Sequence, residues 1–270
     1  MQIDNTLNRN QDRIKDNGFP EVRKMNVRDV TDALRLGIAD FKAKPSQLVF
    51  VYVFYPFIAF FAARVAFGMD VIPLLFPLSG GIALVGPAVA VVFYEVSRRR
   101  ERGMDTSWRH ALRILKSPVM LSVAALSLML LAIFVVWLYI ASSIYGVYFG
   151  GEEQTSIVEF TKQVFVTAEG WSLIFVGCSA GFALALIVLA TSAVSFPLLI
   201  DRDIGPIAAV SASIRVAWKN PIPVAAWGLI VAVVLFLGTV LAFIGLAISF
   251  PILGHATWHF YRKSIVWQDT

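Results

Sequence analysis

The feature that most constrains this chain is an uncharged run of 40 residues, from Pro221 to Phe260. A helix needs about 20 apolar residues to cross a bilayer, so this run predicts two crossings joined by a turn between Gly238 and Gly245. The whole sequence is 58% hydrophobic and 15% charged, against roughly 45–50% and about 25% in soluble proteins. We therefore expect an all-α membrane protein with six transmembrane helices, at about residues 48–68, 72–94, 119–145, 171–199, 222–242 and 244–261.

The basic residues indicate how the spans are oriented. Of the 23 Lys and Arg residues, 21 fall in four segments on one predicted side of the membrane: residues 1–44, 98–116, 202–219 and 262–263. Short cytoplasmic loops are enriched in Lys and Arg, so we expect a multi-pass protein of the bacterial inner (plasma) membrane with both termini in the cytoplasm. The net charge of +5 then reflects the Lys and Arg residues that orient the spans in the membrane. The expected partner of this face is the bilayer with its anionic headgroups, and not nucleic acid.

Three segments share one pattern, in which a short amphipathic helix is followed by a proline and then by a span. Apolar residues at intervals of three and four predict one apolar face, and a basic opposite face is typical of a cytoplasmic helix in the headgroup layer. We interpret the chain as a threefold direct repeat, with chance similarity as the alternative. The predicted apolar faces are Val27, Val30, Leu34, Ile38 and Phe41 in the first helix, Trp108, Ala111, Leu112 and Leu115 in the second, and Ile207, Val210, Ile214 and Trp218 in the third.

Three stretches together resemble one protein family. They are GPAVAVVFYEVSRRRERG, FPLLIDRDIGPIAAVSASIRVAWKN and FPILGHATWHFYR. They look like the bacterial, mostly proteobacterial, predicted integral membrane proteins grouped as a domain of unknown function, some of which carry a cytochrome c oxidase subunit label. The resemblance covers about residues 25–263 and implies a six-span inner-membrane protein, but no reaction. With three histidines, the chain has too few for the metal centres of the large haem-copper subunit.

The closing motif contains His255 and His259, four residues apart and therefore on one helix face. Such a pair could hold zinc or copper with a further ligand, for which His110 is a candidate, and a single histidine could hold a haem iron. A simpler interpretation is an interfacial aromatic belt with Trp258 and Tyr261, and another is a hydrogen bond to a neighbouring helix. We favour the belt and expect no cofactor, with haem or a transition metal as the alternative.

Acidic residues mark the inner ends of the second and fourth predicted spans, at Glu95, Asp201 and Asp203. At the membrane edge, ion pairs with residues such as Arg98 or Arg262 are the expected arrangement. The alternative is a polar pocket at the cytoplasmic face, formed by the three acids with Arg262 and shared with the histidines. Because no acid or base lies at mid-membrane, a proton relay has no evident steps.

The stretch GCSAG, Gly177–Gly181, matches the G-x-S-x-G pattern of hydrolases. Rhomboid intramembrane proteases place a serine in the fourth span and a histidine in the sixth, where Ser179 and His255 would be nucleophile and base. The resemblance fails where those proteases need a glycine after the serine, because Ala180 follows here. Small residues in membrane helices usually indicate close packing, which is the interpretation that we favour.

The sequence therefore predicts one six-helix transmembrane domain at 26–263, a polar, disordered cytoplasmic tail at 1–25 and a cytoplasmic C-terminal tail at 264–270. Its activity is not determined, and we do not expect an enzyme. The leading hypothesis is an accessory or scaffold subunit of a membrane complex, in a respiratory context if the family label applies. The alternatives are a channel or transporter for a small neutral solute, suggested by prolines and glycines in the spans, a haem or metal protein and, least favoured, an intramembrane serine hydrolase.

Overall fold

A computed structural model of the chain describes residues 20–45, 86–150, 157–240 and 245–267, together with Pro77. The first predicted span, 48–68, and most of the second, 72–94, lie outside these residues. The described elements are β1 (Glu21–Val22), α1 (Val27–Ala43), α2 (Val91–Glu101), α3 (Trp108–Ala111), a 3₁₀ helix (Leu112–Lys116), α4 (Val119–Phe149), α5 (Ile157–Val166), α6 (Ala168–Ser192), α7 (Ser195–Asp201), α8 (Pro206–Lys219), α9 (Pro221–Val240), α10 (Leu246–Ser264) and β2 (Ile265–Val266).

The all-α prediction is confirmed, apart from one pair of two-residue strands. Three stretches of helix in the described part of the chain are long and apolar enough to cross a membrane: Val119–Phe149, Ala168–Asp201 and Pro221–Gly238. They correspond to the third, fourth and fifth predicted spans. The sixth forms as helix α10, which is not among these three, because its second half carries His259, Arg262 and Lys263. The count of six and the threefold repeat are therefore not confirmed.

Local sequence signals set the ends of these helices. α1 begins with a capping box, in which the Asn26 side chain accepts from the Asp29 backbone nitrogen and the Asp29 carboxylate accepts from the Asn26 backbone nitrogen. It ends at Ala43, two residues before Pro45, which disfavours helix at the residue that precedes it. α4 ends at Phe149 and is followed by Gly150, whose φ of +65° is left-handed, a backbone conformation that glycine adopts at little energetic cost.

The two described ends of the chain meet each other. β1 pairs with β2 in antiparallel register, and the Arg23 backbone nitrogen donates to the Ser264 carbonyl at 2.8 Å. Asn220, at the junction of α8 and α9, fastens this segment, since its side-chain oxygen accepts from the Met25 backbone nitrogen at 2.6 Å and its side-chain nitrogen donates to the Arg23 carbonyl at 3.0 Å. Both described termini therefore lie beside the start of α9.

One end of the helix bundle gathers the polar side chains, and we call it the polar end. It is defined by Arg102, Ser122, Asp201, Asn220 and Arg262. The end of α2 meets the end of α7 there, through an ion pair from Arg102 to Asp201 at 2.6 Å. Ser122, in the first turn of α4, donates to Asp203, just after α7, at 3.1 Å. The start of α4 and the end of α7 are thus on the same side, as two consecutive antiparallel spans require.

The last described helix, α10, packs against both α1 and α2. It approaches α1 so closely that a Cβ atom on Gly37 would lie 2.5 Å from the backbone nitrogen of Ala256. A Cβ on Gly254 would lie 2.6 Å from the Phe93 ring on α2. The small residues on both sides allow backbones to come together, and this contact positions the polar side chains described below.

The three predicted amphipathic helices form, as α1, as α3 with the 3₁₀ helix, and as α8. Their buried faces differ from the predicted apolar faces. α8 buries small residues, and its large residues Ile207 and Trp218 are exposed. In α1, Val30 of the predicted apolar face is buried in the protein and Val27 is exposed, and the buried stripe continues through Ala33, Gly37 and Asp40.

Candidate functional site

A buried polar cluster joins α1, α2 and α10 around Asp40, and we call it the Asp40 network. One carboxylate oxygen of Asp40 accepts from the Ser97 hydroxyl at 2.5 Å and lies 2.8 Å from Nε2 of His259. The other accepts from the Arg100 guanidinium at 2.7 Å. The Ser97 oxygen also lies 2.9 Å from Nδ1 of His255, whose side chain is completely buried.

Helical spacing brings these side chains to one place. His255 and His259 are one turn apart on α10, and Ser97 and Arg100 are one turn apart on α2, so each pair lies on one helix face. Asp40 is in the last turn of α1, and the close approach of Gly37 to α10 carries it between the two pairs. The cluster therefore depends on three helices that are distant in sequence.

The hydrogen bond between Ser97 and Asp40 has a fixed direction, because a carboxylate only accepts and the single Ser97 proton therefore goes to Asp40. Burial acts to raise the pKa of Asp40, but the hydrogen bonds from His259 and Ser97, together with the charge of His259, outweigh burial and hold it below its ordinary value. Asp40 is thus a stable anion that faces the Arg100 cation.

The Asp40 network joins three helices. Asp40 on α1 contacts Ser97 and Arg100 on α2 and His259 on α10.

The structure gives Ser179 and His255 different partners. Ser179 is exposed on α6 and donates to the Phe175 carbonyl at 2.7 Å, while His255 is buried against α2. Nearby on α6, a Cβ on Gly181 would lie 3.1 Å from the Trp137 ring of α4. This contact fits the packing interpretation of the GCSAG stretch.

The candidate metal ligands are separated. His110 lies at the start of α3, with its Nδ1 2.6 Å from Asp105 and 2.8 Å from the Ser107 hydroxyl. His255 and His259 direct a ring nitrogen at Ser97 and Asp40 instead. Within the described ranges, no group of three or more His, Cys, Asp or Glu side chains is arranged to hold a metal ion.

A second network at the polar end contains two of the predicted pocket residues. Asp201 accepts from the Tyr261 hydroxyl at 2.7 Å and lies 3.5 Å from the Arg262 guanidinium. Arg262 also pairs with Glu101 at 2.9 Å, and Glu101 accepts from the Trp258 indole at 2.8 Å. Both aromatic side chains are buried, so the interpretation as a lipid-facing belt is wrong for them and for His255, and the hydrogen-bond alternative fits.

The other two predicted pocket residues have partners of their own. Glu95 is buried and pairs with Arg98 at 2.7 Å and with Arg99 at 3.3 Å, and Arg98 donates to the Ile200 carbonyl at 2.9 Å. Asp203 accepts from Ser122. Asp201 and Arg262 therefore share one network, whereas Glu95 and Asp203 pair elsewhere, and the ion pairs expected for Glu95 and Asp201 are present.

Sequence reasoning missed the residues that hold the networks together, which are Asp40, Ser97, Arg100, Glu101 and Arg102. A signal for Asp40 existed. Val30, Ala33, Gly37 and Asp40 follow helical spacing on one face, and the small residues at 33 and 37 could have marked that face as the one in contact with another helix.

A shallow, open recess of about 330 Å³ lies at the opposite end of the bundle from the polar end. It is between the end of α4 and the start of α6. Its lining is Tyr148, Phe149, Gly150, Gln163, Thr167 and Glu169.

Comparison with known proteins places one part of the chain in a family context. No curated protein and no solved structure matches the chain. One family model matches part of the chain. The matched part includes the GPAVAVVFYEVSRRRERG stretch and stops before the closing FPILGHATWHFYR, so it is shorter than the resemblance over 25–263. Residues 75–201 match the family "Predicted integral membrane protein (DUF2189)", which confirms the resemblance over that segment, and with its three apolar helices the chain is an integral membrane protein.

Proposed function

We propose that this protein is a non-catalytic accessory subunit, which supports another protein complex in the membrane. The observation that carries the proposal is that three buried acids each pair with an arginine. Asp40 and Asp201 make these pairs across helices, with arginines of α2. Glu95 pairs with Arg98 on its own helix, and Arg98 donates to the Ile200 carbonyl of α7. Groups that bind or transform a substrate are usually directed into a cavity, and these are directed at one another.

The lateral surface of α6 supports the same proposal. The apolar stretch of the helix Ala168–Asp201 has no buried residue, whereas the other two candidate spans each bury about a fifth of theirs. Phe175 and Phe182 are exposed and lie seven residues apart on one face of α6. We infer that this face receives a transmembrane helix of the supported complex, because α6 has the smallest buried share of the three candidate spans in the described part of the chain.

Purification of the tagged protein at native expression level in mild detergent tests this proposal. We expect a stoichiometric membrane partner, identified by native mass spectrometry, that is lost from a Phe175→Ala/Phe182→Ala variant. Tyr139→Ala on α4 is the matched control, since it also removes an exposed aromatic side chain from a candidate span, and it should keep the partner. A protein that purifies alone, or a partner that both variants retain equally, would contradict the proposal.

A further inference from the structure

α8 turns its large apolar side chains away from the protein. Its small residues face the core: Ala209, Ala212, Ser213 and Val216. On the opposite face, Ile207 is 83% exposed, Trp218 is 88% exposed and Ile214 is also exposed. Residues 207, 214 and 218 lie within about one third of the helix circumference. We call these three side chains the α8 ridge.

The 3₁₀ helix carries a similar ridge. In a 3₁₀ helix, residues three apart lie directly above one another, so the helix has three edges. One edge is buried at Ile114. The second consists of Leu112 and Leu115, both exposed, and we call it the 3₁₀ ridge. The third edge is basic and exposed, with Arg113 and Lys116.

Both ridges are attached to candidate spans with almost no spacer. Only Ser117 and Pro118 separate the 3₁₀ helix from α4, and only Asn220 separates α8 from α9. The hydrogen bond from Ser122 to Asp203 places the start of α4 beside the segment that leads into α8. The two ridges are therefore at the same end of the bundle, at the level where a span leaves the hydrocarbon core and meets the headgroups.

We propose that the α8 ridge and the 3₁₀ ridge insert into the headgroup layer of an anionic lipid bilayer. Apolar side chains beside basic ones are what such a helix presents to a membrane surface, and tryptophan is enriched at this depth. The basic residues next to the ridges are Arg113 and Lys116 on the 3₁₀ helix and Arg215 and Lys219 on α8, and Lys219 also donates to the Val22 carbonyl at 2.6 Å. Lysine is depleted from protein interfaces, so these flanks fit a surface of lipid phosphates better than the core of a protein contact.

The depth of the α8 ridge can be measured on the full chain in lipid nanodiscs. In a Cys178→Ala background, a fluorophore is attached at Trp218→Cys and quenched either by a nitroxide on the lipid headgroup or by iodide in the water. We expect the lipid nitroxide to quench more strongly. Met104→Cys, in the exposed loop between α2 and α3, is the control at the same end, and there iodide should quench more strongly.

Other results overturn the proposal. If iodide quenches the label at position 218 more than the lipid nitroxide does, the ridge faces water. If neither quencher reaches it, another protein surface covers the ridge. Leu115→Cys provides a second site on the other ridge, so a Trp218 variant that fails to fold does not remove the test.

The role of charge is tested by comparing discs of phosphatidylcholine with discs that also contain phosphatidylglycerol. Each near-surface basic residue increases the association constant for an anionic surface by about fivefold. We expect an Arg113→Gln/Lys116→Gln variant, which changes two exposed side chains, to retain the fluorescence pattern but to lose enrichment of phosphatidylglycerol, by up to about fivefold per charge. Equal enrichment in the variant and the parent protein would contradict the anionic part of the proposal.

Discussion

The carboxylate of Asp40 lies 2.8 Å from Nε2 of His259, and this contact joins two residues that are 219 positions apart in the sequence. It ties α1, the first described helix, to α10, the last one. The same carboxylate binds Ser97 and Arg100 on α2. Asp40 thus holds three distant parts of the chain together, and its removal should weaken the packing of all three helices.

We expect Asp40→Asn to lower the free energy of unfolding by about 2–4 kcal/mol, because a buried, multiply bonded charge is lost and its cationic partners remain. Asp32→Asn is the matched control on the same helix. Its carboxylate is 45% exposed and lies 3.4 Å from Arg35 and 3.7 Å from Lys263 of α10. Exposed pairs of this kind contribute little, so its loss should cost less than about 1 kcal/mol. The measurement is unfolding of both variants in mild detergent, and similar losses in the two would show that Asp40 is not the joining point.

The same carboxylate predicts a dependence of stability on acid pH. The pKa of Asp40 in the folded protein lies below its ordinary value of 3.8. Between these two pKa values the unfolded chain binds more protons than the folded one, so stability rises with pH there. The contribution of Asp40 is complete above pH 3.8 and is lost as pH falls through the folded pKa.

This dependence is measured as the difference in unfolding free energy between the parent protein and Asp40→Asn, from pH 2.5 to pH 7. We expect a constant difference above about pH 5, and a difference that shrinks below about pH 4. A difference that shrinks instead between pH 5 and pH 7 would assign the effect to a histidine and not to the carboxyl group.

The close contact between α1 and α10 predicts that a larger residue at Gly37 destabilises the protein. A Cβ on Gly37 would lie 2.5 Å from the backbone nitrogen of Ala256, and a backbone atom cannot rotate away as a flexible side chain can. We expect Gly37→Ala to destabilise the protein by about 1–3 kcal/mol through overpacking. Gly146→Ala, on α4, is the control, because nothing lies within 4 Å of its new methyl group. That variant should be neutral or gain up to about 1 kcal/mol in helix propensity, as seen in unfolding midpoints measured side by side.

Much of the secondary structure could be predicted from the sequence. The apolar runs placed α4, α6 and α9 correctly, because a helix that crosses a membrane must be apolar over a fixed length. The proline after each amphipathic segment marked where it ends. Both signals are local, so they need no knowledge of which helix packs against which.

The candidate site was only partly predictable, because its partners are set by packing. His255 and His259 were visible as a pair, but their binding to Ser97 and Asp40 depends on α1 and α2 meeting α10. The sequence pattern of α8 assigned its large apolar residues to the membrane surface. It did not indicate that Ala212 and Ser213, on the opposite face, pack into the core.

The last prediction separates a hydrogen-bonding role of His259 from metal binding. A glutamine at position 259 keeps an N–H donor for Asp40 but is a poor metal ligand, whereas a leucine keeps neither property. We expect His259→Gln to lower the free energy of unfolding by no more than about 1 kcal/mol. His259→Leu should lower it by about 2–4 kcal/mol, because leucine leaves the buried Asp40 carboxylate without one of its donors. Elemental analysis and a visible absorption spectrum should show the same metal and haem content in both variants, in a His255→Ala/His259→Ala variant and in the parent protein. A stoichiometric metal or chromophore that disappears in all three variants would make the two histidines ligands, and the Asp40 contact would then serve to orient an imidazole toward the metal.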